Sequence, residues 1–373
     1  MTRHSVLSVV GTRPEAIKML PVVRALRRAG IAQRLIATGQ HRELTEQVFA
    51  AFGERPDRDL GLMTERQTPS EIFARVIPAI AELIAAERPA LILVHGDTTT
   101  ALAAALAAFH AGVPIGHVEA GLRSHDLARP FPEEFNRVTI DSIATLLFAP
   151  TETAAANLHH ESARERVILV TGNSGIDALL EIAGRLDGGA LERAGLGIDP
   201  TKRLILVTGH RRESFGPGFE RICAALARLA GRGDVEIVYP VHLNPEVRTA
   251  VTARLSGCAG IRLIDPVGYP EMVALMRAAT LILTDSGGIQ EEAPALGTPV
   301  LVMRDVTERP EAVALGAARL VGTDPDAIVR EAELLLDDEA ELAARTRPVF
   351  PYGDGGAAPR IATAVAAFLA QMA

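Results

Sequence analysis

Residues 9–15, VVGTRPE, and residues 207–213, VTGHRRE, carry the same spaced phrase, Val-x-Gly-x-Arg-x-Glu, each directly after a short apolar run. A strand-like run, a glycine and then charged residues form the junction found at the carboxyl end of a parallel strand, where open α/β sheets bind ligands. The echo continues further along each half, where LILVHGDTTT places Asp97, and LILTDSGG places Asp285, just beyond Leu-Ile-Leu. Two halves of one design predict two α/β domains facing each other across a cleft.

Working outward from the first phrase, Ser5 to Val10 reads as a buried strand, and PEAIKMLPVVRALRRAG has helical apolar spacing closed by Gly30. IAQRLIATG, ALILVHGDTTT with ALAAALAAFHAG, and VPIGHVEAG repeat this succession of strands and helices, which implies a parallel sheet. The second half does the same through RLILVTG, GFERICAALARLAG, VEIVYPV, IRLIDPV, ATLILTDSGG and TPVLVMR. A charged, glycine-rich stretch between Gly172 and Lys202 reads as the domain connection. The expected division is therefore residues 1–171 and 172–354, with an Ala-rich amphipathic helix at about 355–373 that either domain can hold.

At 373 residues the chain exceeds one compact domain. Hydrophobic residues make up 48% of it but aromatics only 4%, and Trp is absent, so both cores must be aliphatic. A formal charge of −8 argues against a nucleic-acid or membrane partner, because such surfaces are held by clustered Lys and Arg. An anionic ligand must instead be held by a few placed cations and backbone amides. Cys223 and Cys258 lack metal-site spacing and read as buried structural thiols. The apolar run before Gly11 is too short for a signal-peptide core, which points to the cytoplasm. The uncharged stretch from Thr98 to Val118 contains His110, Gly112, Pro114 and His117, and reads as a helix followed by a strand.

Chemistry-bearing residues gather at the strand ends. TDSGGIQEEAP sets Ser286, Gly287 and Gly288 before a helix expected to begin near Ile289. Glycine there lets backbone N–H groups approach a phosphate, and a helix amino terminus favours its charge. Glu291 and Glu292 follow, suited either to offsetting the helix dipole or to accepting sugar hydroxyls. Asp97, Glu119 and Glu133 are acids at or beyond strand ends, as proton abstraction and leaving-group departure require. His210, flanked by Arg211 and Arg212, suits an anionic group, as do Arg13, Lys18 and Arg309. The chain has no G-x-G-x-x-G, Walker A, H-E-x-x-H or G-x-S-x-G motif, so neither a nicotinamide cofactor nor a catalytic metal is expected.

In order along the chain, GTRPEAIKM, TGQHRE, VHGDTTT, HVEAGLR, PEEFNR, TGHRRESFG, VYPVHLNP, TDSGGIQEEAP and VLVMRDVTERPEA resemble the bacterial non-hydrolysing UDP-N-acetylglucosamine 2-epimerases. The resemblance runs from about residue 9 to PYGDGGAAPRI. It implies two Rossmann-like domains with parallel sheets in the glycosyltransferase B architecture, a homodimer, and an active site in the interdomain cleft. It further implies that UDP is eliminated across C1–C2 of the sugar, giving a 2-acetamidoglucal, and is then added back, without cofactor or metal.

By the same resemblance Asp97, Glu119 and Glu133 are the catalytic acids, and His210 stands at the departing diphosphate. Arg13, Lys18, Met272, Ser286, Gly287, Gly288, Glu292 and Arg309 fall on substrate contacts. Gln40, Glu43, Arg66, Arg211 and His242 fall on a second UDP-N-acetylglucosamine site for an activator, with Glu43 departing from the Gln of some members. Three other readings share the fold: a hydrolysing relative that releases free N-acetylmannosamine, a glycosyltransferase needing an acceptor, and a binding protein without activity. The presence of all three acids and the histidine disfavours the last.

Overall fold

The structure is a computed structural model describing residues 5–39, 42–62, 64, 67–161, 166–209, 217–241 and 245–372, without the side chains of 42–44 and 245–246. The chain forms two compact units, residues 1–181 with 352–373, and residues 182–351. The first unit alternates strands and helices: β1 (Ser5–Val10), α1 (Arg13–Arg28), β2 (Ala32–Ala37), α2 (Arg42–Phe52), β3 (Arg58–Asp59), α3 (Pro69–Glu87), β4 (Leu91–His95), α4 (Thr99–His110) and β5 (Ile115–Val118). It continues through α5 (Glu133–Ile143), β6 (Leu146–Ala149), α6 (Glu152–Glu161), β7 (Val167–Val170) and α7 (Ser174–Arg185). The second unit holds α8 (Ala190–Arg193), β8 (Arg203–Thr208), α9 (Pro217–Ala230), β9 (Val235–Pro240), α10 (Pro245–Leu255), β10 (Ile261–Ile264), α11 (Tyr269–Ala278) and β11 (Leu281–Thr284). After these come α12 (Gly287–Glu292), β12 (Val300–Val302), α13 (Pro310–Ala314), β13 (Ala318–Leu320), α14 (Pro325–Asp337) and α15 (Glu339–Arg345), and α16 (Ala357–Gln371) ends the chain.

Every strand pair is parallel, and the strand orders are β3-β2-β1-β4-β5-β6-β7 and β10-β9-β8-β11-β12-β13. Helices cover such sheets on both faces, so the central strands must be apolar throughout. LILVH of β4 is buried at every position, and Val6, Leu7, Val9 and Val10 of β1 are too. Each sheet reverses its order beside its first strand, between β1 and β4 and again between β8 and β11. Those two switch points are where the repeated phrases lie.

The division falls at 181/182, inside α7, rather than at 171/172. The first unit keeps the first part of α7 because Asp177, on its first turn, caps the returning α16. Its carboxylate accepts from the backbone N–H groups of Ala357 and Ala358 at 3.2 and 2.9 Å. Burial raises the pKa of Asp177 in spite of those bonds. Ala357, Ala358, Ile361, Ala362, Val365 and Leu369 form the buried face of α16, which packs on α1. Cys223 is buried and its thiol is pushed up to about 11, whereas Cys258 is only partly covered, against the expectation for that residue. Among the described residues no helix is long and apolar enough to cross a membrane.

Candidate active site

The turn after β1 is built by its own sequence. Thr12 caps α1 and Glu15 answers it: the buried Glu15 carboxylate accepts from Gly11 N–H at 3.0 Å and from Thr12 N–H at 2.6 Å. The other carboxylate oxygen accepts from the Thr98 hydroxyl at 2.7 Å, so the β1 and β4 turns are tied across the switch point. Burial pushes the pKa of Glu15 up against these bonds. Gly11 is required because a Cβ there would lie 2.6 Å from Thr100 Oγ1. Arg13 opens α1 half-exposed, and Lys18 follows on the next turn.

Asp97 leaves β4 through Gly96, whose φ is +63°. Helix α5 holds the acid from the other side. Arg137 donates from Nη2 to Asp97 Oδ2 at 2.5 Å, and Asn136 donates from Nδ2 to the Asp97 carbonyl at 2.8 Å. The Asp97 side chain remains 28% exposed, open enough to meet a ligand. Glu119 leaves β5 with φ +69°, a conformation rare for a side-chain-bearing residue and concentrated at functional sites. Its Oε2 is paired with Lys18 Nζ and lies 3.8 Å from His95 Nε2. Glu133 is the first residue of α5 and partly exposed. Its neighbour Glu134 is buried, accepting from Ser124 and His125 N–H at 2.9 and 3.0 Å and standing 3.3 Å from Arg137.

The second switch point is built from amides. Helix α12 begins at Gly287, two residues before the expected start, so both glycines contribute first-turn N–H groups, which have no carbonyl a turn behind them. Arg309 lies against this turn: a Cβ on Gly287 would sit 2.7 Å from its Cζ. Glu291 accepts from Arg309 Nε at 2.8 Å, and Glu308 stands 3.4 Å from its Nη1. Arg304 grips Glu308 through both Nη nitrogens, at 2.9 and 3.2 Å. Burial pushes the Glu308 carboxyl up, but Arg304 and Arg309 outweigh it and bring its pKa to about 2. Glu292 accepts from the Tyr269 hydroxyl at 3.1 Å, which links it to α11, the helix carrying Met272. Gly209 follows β8, its carbonyl accepting from Tyr239 OH at 2.9 Å.

The fold therefore brings Lys18 to Glu119 in the first unit, and Arg309 to Gly287 and Glu291 in the second. His210, Arg211, Gln40, Arg66 and His242 lie outside the described residues, as does the side chain of Glu43. Arg137, Asn136 and Glu15 escaped the sequence reading. The first two read as the ordinary polar face of a helix. Glu15 had a legible signal, since Thr12-x-x-Glu15 before an apolar run is a capping box.

Residues 24–366 match the family described as UDP-N-acetylglucosamine 2-epimerase. The UDP-N-acetylglucosamine 2-epimerase of Escherichia coli (strain K12) is 52% identical over 367 residues, 96% of this chain and 98% of that protein. The crystal structure of UDP-GlcNAc 2-epimerase from Neisseria meningitidis bound to UDP-GlcNAc is similar with a TM-score of 0.91 and 40% identity, covering 98% of this chain and 100% of the other. Acinetobacter baumannii MurG, at 15% identity and a TM-score of 0.58 over 98% of this chain and 99% of its own, shares the fold alone. The architecture is thus the glycosyltransferase B type, two parallel α/β sheets of Rossmann-like order.

Proposed function

The chain belongs to the UDP-N-acetylglucosamine 2-epimerase family, and from that membership we propose that it interconverts UDP-N-acetylglucosamine and UDP-N-acetylmannosamine by eliminating and re-adding UDP. C2 of the sugar is not next to a carbonyl, so its proton cannot leave to a stabilised carbanion. A carboxylate instead takes the C2 proton while the C1–O bond breaks and its electron pair departs with UDP. A C1=C2 double bond remains, as a 2-acetamidoglucal. A proton delivered to the opposite face of C2 and attack of UDP oxygen at C1 then give the epimer, with no net change in atoms or charge.

Asp97, Glu119 and Glu133 share the proton transfers. Asp97 and Glu119 follow the adjacent parallel strands β4 and β5, Asp97 paired to Arg137 and Glu119 to Lys18, and this is the observation that supports the reading. His210, Arg13 and Lys18 meet the departing diphosphate, with the amides of Ser286, Gly287 and Gly288 and the Arg309 fork. Glu292 accepts from ribose hydroxyls, and Met272 lies toward the base. Gln40, Glu43, Arg66, Arg211 and His242 form the activator site for a second UDP-N-acetylglucosamine. The working form is a cytoplasmic homodimer that supplies activated N-acetylmannosamine for cell-surface polysaccharide.

Proton NMR of UDP-N-acetylglucosamine incubated with the protein in deuterated water tests the reaction. The reading expects UDP-N-acetylmannosamine carrying deuterium at C2. Free N-acetylmannosamine with UDP would move the chain to the hydrolysing type.

A further inference from the structure

One buried pair ties together all the backbone that carries the three acids. His117 lies on β5, fully buried, with both ring nitrogens engaged: Nε2 lies 2.8 Å from the carbonyl of Gly96, and Nδ1 lies 2.6 Å from Asp141 Oδ1. Gly96 precedes Asp97, and Asp141 is on α5, the helix whose Asn136 and Arg137 hold Asp97 and whose first residue is Glu133. Asp141 Oδ2 accepts from Gly121 N–H at 3.1 Å, which pins the turn that Glu119 enters at positive φ. Arg123 completes the set, 2.8 Å from Asp141 Oδ2 and 2.7 Å from Glu161 Oε2. Burial alone would raise the Asp141 carboxyl, but His117 and Arg123 outweigh it and hold it below its ordinary value. A core without a function here would be filled more cheaply by aliphatic side chains, since burying paired charges costs their hydration.

We propose that His117 and Asp141 are positioning residues for the epimerisation, a clasp joining the β4 turn, the β5 turn and α5 so that Asp97, Glu119 and Glu133 keep one fixed spacing. The inference rests on the roles given to those acids above. Neither residue of the clasp touches substrate. Its effect is on geometry at the reacting carbon, where a displacement of about 1 Å costs on the order of 100-fold in rate.

Two near-isosteric changes test it, each removing one side of the clasp. His117→Gln reproduces the Nε2 contact with Gly96 and loses Asp141; Asp141→Asn keeps the shape and loses the charge. Both are measured for unfolding midpoint, UDP affinity, kcat and KM beside the parent protein. The clasp predicts folded variants with kcat lowered about 100-fold, and KM and UDP affinity within about threefold. A folded variant that keeps kcat, or loses only KM, overturns it. Loss of the folded state in both variants would assign the pair to core stability and overturn it equally. A parent protein that leaves UDP-N-acetylglucosamine unconverted would instead refute the function reading, so the two failures are distinguishable.

Discussion

The two switch points share a topology and differ in chemistry. In the first sheet the loops after β4 and β5 present Asp97 and Glu119, each paired with a cation drawn from a helix. Between β8 and β11 the corresponding acid, Asp285, is fully buried, and the loop presents the Ser286-Gly287-Gly288 backbone with Arg309 against it. A side-chain carboxylate can move a proton, whereas a backbone N–H can only stabilise charge already present. On the proposed function, one sheet design serves two tasks, set by whether the loop offers carboxylates or amides. The first unit is suited to work on the sugar and the second to hold the nucleotide.

That division can be broken by substitution, beginning where the effect should be greatest. Asp97→Asn is expected to lower kcat about 1000-fold, the scale of a lost general acid or base, in an assay of UDP-N-acetylmannosamine formation. Retained turnover would remove Asp97 from the proton chemistry. In the second unit, Gly287→Ala sets a methyl group against the Arg309 guanidinium, 2.7 Å from Cζ. Losing one charge-assisted contact to the diphosphate should weaken UDP binding by about 10- to 100-fold in a calorimetric titration. Unchanged affinity would show that the glycine turn does not hold the nucleotide.

Smaller effects test the frames behind the two loops. Glu15→Ala leaves the Gly11 and Thr12 N–H groups without their acceptor, and should cost on the order of 2 kcal/mol in denaturant unfolding of the first unit. No loss would mean that the turn holds itself. In the second unit Glu308 titrates at about 2 when folded, against an ordinary value of 4.5. A depressed pKa stabilises the folded chain above the ordinary value, and that contribution fades as pH falls from about 4.5 through about 2. Glu308→Gln should therefore be less stable than the parent at neutral pH, with the gap closing over that window. A gap independent of pH would place the stabilisation elsewhere.

The strands, their order along the chain and the paired-domain design were legible because a parallel sheet writes itself as apolar runs broken by glycine. LILVH and LILT, with SVLSVV before the first phrase, needed no tertiary context. The positions of Asp97, Glu119 and the glycine turn were legible for the same reason, since they sit just past those runs. What escaped was whatever a distant element supplies. Arg137 and Asn136 meet Asp97 only because α5 packs beside the β4 turn, and nothing local in EEFNRVTIDS distinguishes them from a solvated helix face. Glu133 was read from its loop, yet the chain also turns its Ser124 and His125 N–H groups onto Glu134 beside it. The domain division was misplaced by one element because the tie that fixes it joins Asp177 to Ala357 and Ala358, far away along the chain.

The separation of proton chemistry from nucleotide binding is tested most directly by titrating UDP into the Asp97→Asn protein in a calorimeter. If the second unit holds the nucleotide independently, the dissociation constant stays within about tenfold of the parent value, a change no larger than about 1.4 kcal/mol. Loss of UDP binding in that variant would contradict the division of labour between the two switch points.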